Sequence, residues 1–170
     1  MQQNQASNQS PGSKKPPPVG LHLKRPCMLV ADLERAFTLY RDVLGFQVDY
    51  LSEEAGPDSY LYKVFQIPAV ARLKFASLST DNEARALALA EVKGIELPPR
   101  SLPHSIGLVI QVEAITPVLE QVVAMGLSIV EPNHFTAPPN LEFTEQGIYD
   151  FDGQLIVLYE TRVVEPLPST

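Results

Sequence analysis

The sequence has a single cysteine, few basic residues and no long hydrophobic run. Because Cys27 is the only cysteine among 170 residues, no internal disulfide can form, and we expect a reducing, cytoplasmic compartment. No apolar run approaches the roughly 18 to 20 residues that span a membrane, so no membrane segment is predicted. The 13 Lys and Arg residues are scattered among 20 Asp and Glu, with a net charge of -7. This balance argues against a nucleic-acid partner, because phosphate binding requires clustered basic side chains.

Several catalytic signatures are also missing from the sequence. We find no glycine-rich phosphate loop, no Ser-His-Asp arrangement that can be placed, and no thiolate cluster for a metal. What is present, 45% hydrophobic and 19% charged residues, is typical of an ordinary globular protein. The length suits one domain, or two small similar halves packed together.

The two ends of the chain differ in composition from the middle. Residues 1–20 are rich in Gln, Asn, Ser and Pro and lack the apolar core of a signal peptide. They cannot bury enough surface to offset the entropy of ordering, so we predict a disordered tail. Residues 162–170 are predicted to form a C-terminal tail that frays. Residues 21–161 then form a single domain.

The first half of the domain, residues 23–94, opens with a strand and an amphipathic helix. The apolar run "CMLVA" predicts the strand. Asp32 can cap the helix that follows, and Gly45 supplies a left-handed residue to end it. Apolar side chains recur between them at spacings of three and four, which places them on one helix face: Leu33, Phe37, Tyr40 and Leu44.

Three further strands complete this half. "FQVDYL" alternates as a strand, residues 60–68 are either helical or irregular, and "ARLKFASLS" and "ARALALAEV" predict an antiparallel pair around the turn "TDNE". A proline-rich linker, residues 95–104, follows.

The same order of elements recurs in the second half, residues 105–161. "IGLVIQV" predicts a strand, Thr116 and Pro117 a helix start, and Gly126 the helix end. "LSIVEP" predicts a strand, and residues 132–145, with His134 and Phe135, a long loop that is either a lid or an irregular connection. "GIYDF" and "QLIVLYE" predict a hairpin around Asp152-Gly153. The chain therefore reads as two copies of a β-α-β-β-β unit.

Two stretches carry a resemblance to a known family. "VADLERAFTLYRDVLGF" and the closing "DFDGQLIVLYE" resemble the vicinal oxygen chelate superfamily, which includes glyoxalase I, the extradiol dioxygenases and the bleomycin-resistance proteins. The resemblance implies an α+β fold in which two β-α-β-β-β modules form a curled mixed sheet around a cleft. It also implies a homodimer as the default assembly. It does not identify the chemistry, because this fold hosts many activities.

The resemblance also implies a metal site that can be checked residue by residue. Family enzymes hold a divalent metal, acting as a Lewis acid, through His, Gln or Glu side chains on the first and last strands of each module. The matching positions here are Arg25, Ala88, Gly107 and Val157. None of these side chains is a metal ligand. We therefore predict no metal at the usual positions.

A divalent metal at other positions is the alternative. Three ligand-type residues lie near the expected places, namely Glu91, His104 and Glu160. Each is three residues from the matching position, and an odd offset along a strand points the side chain to the opposite face.

Strand alternation predicts which residues line the cleft. The predicted ligand-binding residues are Arg25, Cys27, Ala88, Val109, Gln111, Leu155, Val157 and Tyr159. Residues of the opposite parity should pack under the helices, namely Met28, Val30, Leu87, Leu89, Leu108, Ile110, Ile156 and Leu158. Apolar walls with a few polar groups are typical of a pocket for a small organic molecule.

Arg25 and Cys27 are the predicted cleft residues with distinctive chemistry. The guanidinium of Arg25 can bind a carboxylate through two hydrogen bonds, and its alternatives are exposure or an ion pair with a carboxylate such as Glu91 or Asp152. Cys27 is interpreted as a small buried hydrophobe rather than a nucleophile, because no histidine is placed to activate it.

Three functions are consistent with these observations. The first is a metal-independent family member that binds a small, mainly apolar ligand with an anionic or carbonyl group, by sequestration or metal-free chemistry. The second is a metal-dependent lyase, isomerase or dioxygenase with rearranged ligands. The third is a non-catalytic interaction protein whose cleft is filled by side chains. The missing ligand set favours the first, and whether the protein is an enzyme stays open.

Overall fold

The computed structural model describes residues 23–164, so the predicted N-terminal tail, residues 1–20, and residues 165–170 lie outside the described part of the chain. The first module contains β1 (Cys27–Val30), α1 (Leu33–Tyr40), β2 (Gln47–Leu51), α2 (Tyr60–Val64), β3 (Arg72–Ser79) and β4 (Leu87–Lys93). The second contains β5 (Leu108–Gln111), α3 (Ile115–Ala124), β6 (Asn133–Ala137), β7 (Leu141–Tyr149) and β8 (Leu155–Val163).

Each module forms its own four-stranded mixed sheet. The strand orders are β1-β4-β3-β2 and β5-β8-β7-β6. In both sheets the first strand pairs in parallel with the last, and the remaining pairs are antiparallel. Neither sheet is closed. The predicted fold class, α+β with two β-α-β-β-β modules, is confirmed.

The first helix forms as its sequence predicts. The Asp32 side chain accepts a hydrogen bond from Arg35 N at 2.9 Å, which satisfies one of the free N–H groups of the first turn. Gly45 has φ +82° and ends the segment after the helix. Because the apolar face is continuous, Phe37 and Tyr40 are buried against the sheets.

One hydrophobic core joins the two modules. It contains Phe37 and Tyr40 of α1, Val122 of α3, and strand residues from both sheets such as Leu89 and Ile156. All residues predicted to pack under the helices belong to this core or contact it. The two modules therefore bury apolar side chains in a common core, and this shared burial stabilises both of them.

A second, smaller core covers the other face of the first sheet. Residues 52–71, which include α2, cover Leu73 of β3 and Val92 of β4, with Ile67 and Ala71 between them. β4 is consequently buried on both faces. In the second module the β6–β7 connection is only residues 138–140, so that sheet has no comparable cover from its own hairpin.

The second module corrects two local predictions. "LSIVEP" is not a strand and makes a single bridge, between Ile129 and Ile148. Residues 132–145 are not a loop or a lid, because His134 and Phe135 lie in β6, which pairs with β7. The prolines between β6 and β7 and the polar residues within both strands weaken the apolar–polar alternation that would have predicted them. Cross-strand pairs such as Phe135 opposite Phe143 stabilise the hairpin.

The start of α3 also differs from its prediction. Thr116 does not cap the helix. The N-cap residue is Ala114, whose side chain offers no acceptor, and the Glu160 carboxylate accepts the backbone N–H of Ile115 at 2.7 Å. A partner from another strand therefore replaces the local cap, which no local pattern could indicate. No helix between residues 23 and 164 is long and apolar enough to cross a membrane.

Candidate ligand-binding site

We call the face of each sheet opposite α1 and α3 its cleft face. On the first sheet, Arg25 lies just before β1, and its guanidinium carbon is 5.9 Å from the centroid of the Phe75 ring of β3. Extending the β1–β4 register places Arg25 near Ala86, whereas Phe75 is opposite Ala90. The side chain must therefore cross over β4 to reach the ring. The small alanines of β4 leave room for it.

The guanidinium of Arg25 is not fully satisfied. Its Nη1 atom is buried and has no hydrogen-bond partner within residues 23–164. The two carboxylates considered as partners are engaged elsewhere, since Asp152 pairs with Arg35 at 3.2 Å and Glu91 lies 3.7 Å from Lys93. A buried donor without an acceptor is costly, particularly when it carries charge. An acceptor supplied by a ligand would remove that cost.

Cys27 neighbours Arg25 on the same face and is partly buried. Burial raises the pKa of the Cys27 thiol, while the positive charge of Arg25 acts in the opposite direction. A raised pKa keeps the thiol protonated near neutral pH, and a thiol is a poor nucleophile. The electrostatics therefore favour the reading of Cys27 as a packing residue.

A pocket of about 540 Å³ lies between β1 and the start of β5. Its walls include Cys27 and Leu29 of β1, Phe65 after α2, and Ile106 and Gly107 before β5. Most of the lining is hydrophobic. Cys27 is a lining residue of this pocket and lies on the face that carries Arg25, although Arg25 itself does not line the pocket.

The predicted residues on the second sheet lie on its cleft face, which is more open. Val109 is 64% exposed and Gln111 is exposed, whereas Val157 and Tyr159 are partly buried. Leu155 is also partly buried and approaches the position that a side chain at Gly107 would occupy. Along this face the rings of Phe135 and Phe143 stack, and Tyr159 contacts Phe143 in a tilted arrangement with ring centroids 5.6 Å apart.

The turn before β8 connects the second module to the first. The Tyr40 hydroxyl donates to Asp150 Oδ2 at 2.8 Å, and Ala31 N donates to Asp152 Oδ1 at 3.1 Å. Burial raises the pKa of Tyr40 well above its usual value, and the Asp150 carboxylate adds to the shift. Burial also raises the pKa of Asp152. The turn before β8 therefore holds the two modules together. Its hairpin sequence alone does not indicate this role.

The three alternative metal-ligand candidates occupy separate places. Glu91 accepts the backbone N–H of Leu33 at 2.8 Å at the start of α1, and Glu160 does the same for Ile115 at the start of α3. His104 stacks against Tyr149, with ring centroids 5.2 Å apart. Between residues 23 and 164, no three His, Cys, Asp or Glu side chains are grouped to hold a metal ion.

Comparison with known proteins identifies the family of the chain. A model of the Glyoxalase/Bleomycin resistance protein/Dioxygenase superfamily matches residues 22–158. The chain belongs to this superfamily. Searching the curated proteins gave no match to the chain.

Solved structures share the superfamily fold with the chain. A glyoxalase family protein from Bacillus cereus has a TM-score of 0.65 and 14% identity, over 86% of this chain and 98% of its own. The trypanothione-dependent glyoxalase I of Leishmania major has a TM-score of 0.57 and 16% identity, over 83% and 87%. A glyoxalase/bleomycin resistance/dioxygenase domain from Frankia sp. EAN1pec has a TM-score of 0.55 and 17% identity, over 85% and 100%.

The side chains that the sequence analysis matched to metal-ligand positions do not fit a metal. Arg25 presents a cation and only donors, and Ala88, Gly107 and Val157 have no donor atoms for a metal. The buried Nη1 atom of Arg25 has no partner within residues 23–164 and needs a hydrogen-bond acceptor. A metal ion needs a side chain with a free electron pair, which a guanidinium does not offer. The chemistry of this position suits an anion.

Sequence reasoning did not identify several residues around this site. Phe75 could have been found, because the antiparallel register around "TDNE" places it two strands from Arg25 on the same face. Two lining residues of the pocket lie outside the strands: Phe65 follows the short helix α2, and Arg100 lies in the linker. Nothing in their local sequence indicates the pocket.

Proposed function

We propose that the protein binds a small, mainly apolar organic ligand through an anionic or carbonyl group that meets Arg25. The observation that carries this proposal is the buried Nη1 atom of Arg25, which has no hydrogen-bond partner within residues 23–164. The sequence comparison predicts that Arg25 takes the place of a superfamily metal ligand. Binding serves either sequestration of the ligand or chemistry that needs no metal.

The surroundings of Arg25 support a planar acceptor. The Phe75 ring lies 5.9 Å from the guanidinium carbon and restricts its orientation through a cation–π contact. A guanidinium held in this way presents a fixed pair of donors, which suits the two oxygens of a carboxylate. Low solvent access strengthens such a charge-assisted bond.

The metal-dependent alternative has less support from the site. Glu91 and Glu160 each accept a backbone N–H at the start of a different helix. Recruiting them to a metal would leave those N–H groups without partners, at a cost of about 1–3 kcal/mol each. The alternative of a filled cleft has partial support, since residues 52–71 cover one end of the first sheet.

The test is binding of simple carboxylates to the wild type and to Arg25→Met. Benzoate and hexanoate are titrated by calorimetry, with benzyl alcohol and hexanol as neutral counterparts. We expect Arg25→Met to weaken carboxylate binding about 10- to 100-fold, because a charged hydrogen bond contributes about 1.5–3 kcal/mol. The alcohols should bind both proteins equally.

Arg72→Met is the matched control, since this arginine also lies on the first sheet but its side chain is 65% exposed. It should bind carboxylates as the wild type does. Arg25→Met should melt at or slightly above the wild-type temperature, because a buried cation without a partner is removed. Equal carboxylate affinity in the wild type and Arg25→Met, or a large drop in melting temperature, would overturn the proposal.

A further inference from the structure

We infer that the ligand is a hydrophobic monocarboxylic acid whose apolar chain fills the pocket between β1 and β5 while its carboxylate meets Arg25. This inference rests on the proposed function and specifies its ligand class. It combines two features of the described structure, namely the unpartnered donor of Arg25 and an apolar pocket whose wall includes Cys27, two residues further along the chain.

The pocket offers hydrophobic contacts over most of its surface. Its lining includes six apolar side chains that enclose the space from several directions, namely Leu23, Pro26, Leu29, Phe65, Ile106 and Leu108. A volume of about 540 Å³ falls in the range of about 300–1,000 Å³ typical of small-molecule sites. The space therefore suits a hydrocarbon group of considerable size rather than a single methyl or ethyl group.

The polar side chains of the lining are already engaged. Arg100 Nη2 donates to Leu29 O at 3.0 Å, and Arg100 Nε donates to Asp152 O at 3.3 Å. The Gln154 amide lies 3.4 Å from the carbonyl oxygens of Ile106 and Leu155. Since these groups have partners, a polar ligand body would lose its hydration without full compensation. A sugar or nucleotide body is disfavoured for this reason.

The pocket and the cation are close enough for one ligand. Cys27 forms part of the pocket wall and follows Arg25 by two residues on the same face. The guanidinium carbon of Arg25 lies 5.9 Å from the centroid of the Phe75 ring, and its positive charge acts on the Cys27 thiol in the pocket wall. A carboxylate bound to this guanidinium can therefore continue as a chain past the thiol into the pocket.

Of the two cations near this space, Arg100 already donates to the backbone carbonyl oxygens of Leu29 and Asp152, whereas Arg25 has a donor without a partner within residues 23–164. An acid with one charged group, which meets Arg25, is therefore favoured.

The ligand class is tested by chain length. Hexanoate, octanoate, decanoate and dodecanoate are titrated into the full-length protein by calorimetry, below their micelle concentrations. We expect affinity to rise with each added methylene, by up to about fourfold, until the pocket is full. Ile106→Asp places a charge in the pocket at a position that is 64% exposed, so folding should be retained. In this variant affinity should no longer rise with chain length.

Val123→Asp is the matched control, because Val123 is 56% exposed on α3 and does not line the pocket. It should keep the wild-type dependence on chain length. Ile106→Ser removes the apolar group without adding charge and should reduce the dependence partly.

The outcomes separate the inference from the proposed function. Carboxylates that bind in an Arg25-dependent way but with no effect of chain length would overturn the inference and leave the proposed function standing. A chain-length effect that survives in Ile106→Asp would place the hydrocarbon elsewhere and also overturn it. Carboxylates that do not bind, or bind independently of Arg25, would overturn both.

Discussion

The two modules repeat one topology but use their cleft faces differently. In the first, residues 52–71 cover part of the cleft face, and six consecutive residues of β4, Leu87–Val92, are buried. In the second, β8 alternates between partly buried and buried residues from Leu155 to Glu160. Both strands have largely apolar sequences. The difference arises from the connection before the third strand, which is long in one module and three residues in the other.

The two modules cap their long helices, α1 and α3, in the same way, except for the N-cap residue itself. Glu91 and Glu160 accept the first backbone N–H of α1 and α3 from the last strand of each sheet. Asp32 adds a local cap on α1, whereas Ala114 adds none on α3. The comparison teaches that a repeated fold retains its long-range contacts where local signals have diverged.

The largest expected effect tests the cover on the first sheet. Leu73→Ala should lower the free energy of unfolding by about 2–5 kcal/mol, because Leu73 is fully buried beneath residues 52–71. The matched change on the second sheet is Leu155→Ala, a partly buried leucine, for which we expect about 1 kcal/mol. Urea unfolding measures both. Equal losses would mean that the two cleft faces are covered to the same extent.

The next effect compares the two capping carboxylates. Glu160→Ala should cost about 1–3 kcal/mol, because it leaves the Ile115 N–H buried without an acceptor. Glu91→Ala likewise leaves the Leu33 N–H without its acceptor, but Asp32 still accepts the N–H of Arg35. Because α1 keeps this second capping bond and α3 has none, we expect a smaller loss for Glu91→Ala. Chemical denaturation of both variants checks the order.

Glutamine provides the control at both positions, because it keeps an acceptor oxygen and removes the charge. Both glutamine variants should be more stable than the corresponding alanine variants. If Glu91→Ala is the more damaging change, the local cap of Asp32 contributes little.

The smallest effect concerns pH. A hydrogen bond from Lys93 Nζ, 2.6 Å from Asp32 Oδ2, and a second from Arg35 N lower the pKa of Asp32. A carboxyl whose folded pKa is lowered stabilises the fold above its unfolded pKa and loses that effect as the pH falls through the folded value. Asp32→Asn keeps an N-cap acceptor without the charge. Its melting temperature should be slightly below the wild type at pH 7, and the difference should shrink below about pH 4.

Lys93→Met removes the ion pair with Asp32 from its other side, together with the longer contact to Glu91 at 3.7 Å, and its difference from the wild type should also shrink as the pH falls. A difference that stays constant from pH 7 to pH 3 would assign the effect to packing rather than charge.

Much of the first module was accessible from sequence. The strand, the cap, the helix face and Gly45 were predicted because each depends on residues a few positions apart. The second module was harder, since β6 and β7 have weak alternation and α3 depends on Glu160, 45 residues from Ile115. In the site, alternation placed Arg25 and Cys27 on one face. The ring of Phe75 and the pocket wall from Arg100 depend on distant contacts.

The sequence by itself determined the periodic features of this protein, namely the repeated β-α-β-β-β order and the helix faces. These follow from residue identity and short-range spacing. Only the tertiary structure decided that Arg25 lies over Phe75 with a buried donor that has no partner in the described part of the chain, and that a pocket lies between β1 and β5. The physical reason is that burial and partner choice depend on which segments fold against one another, and local periodicity does not encode that.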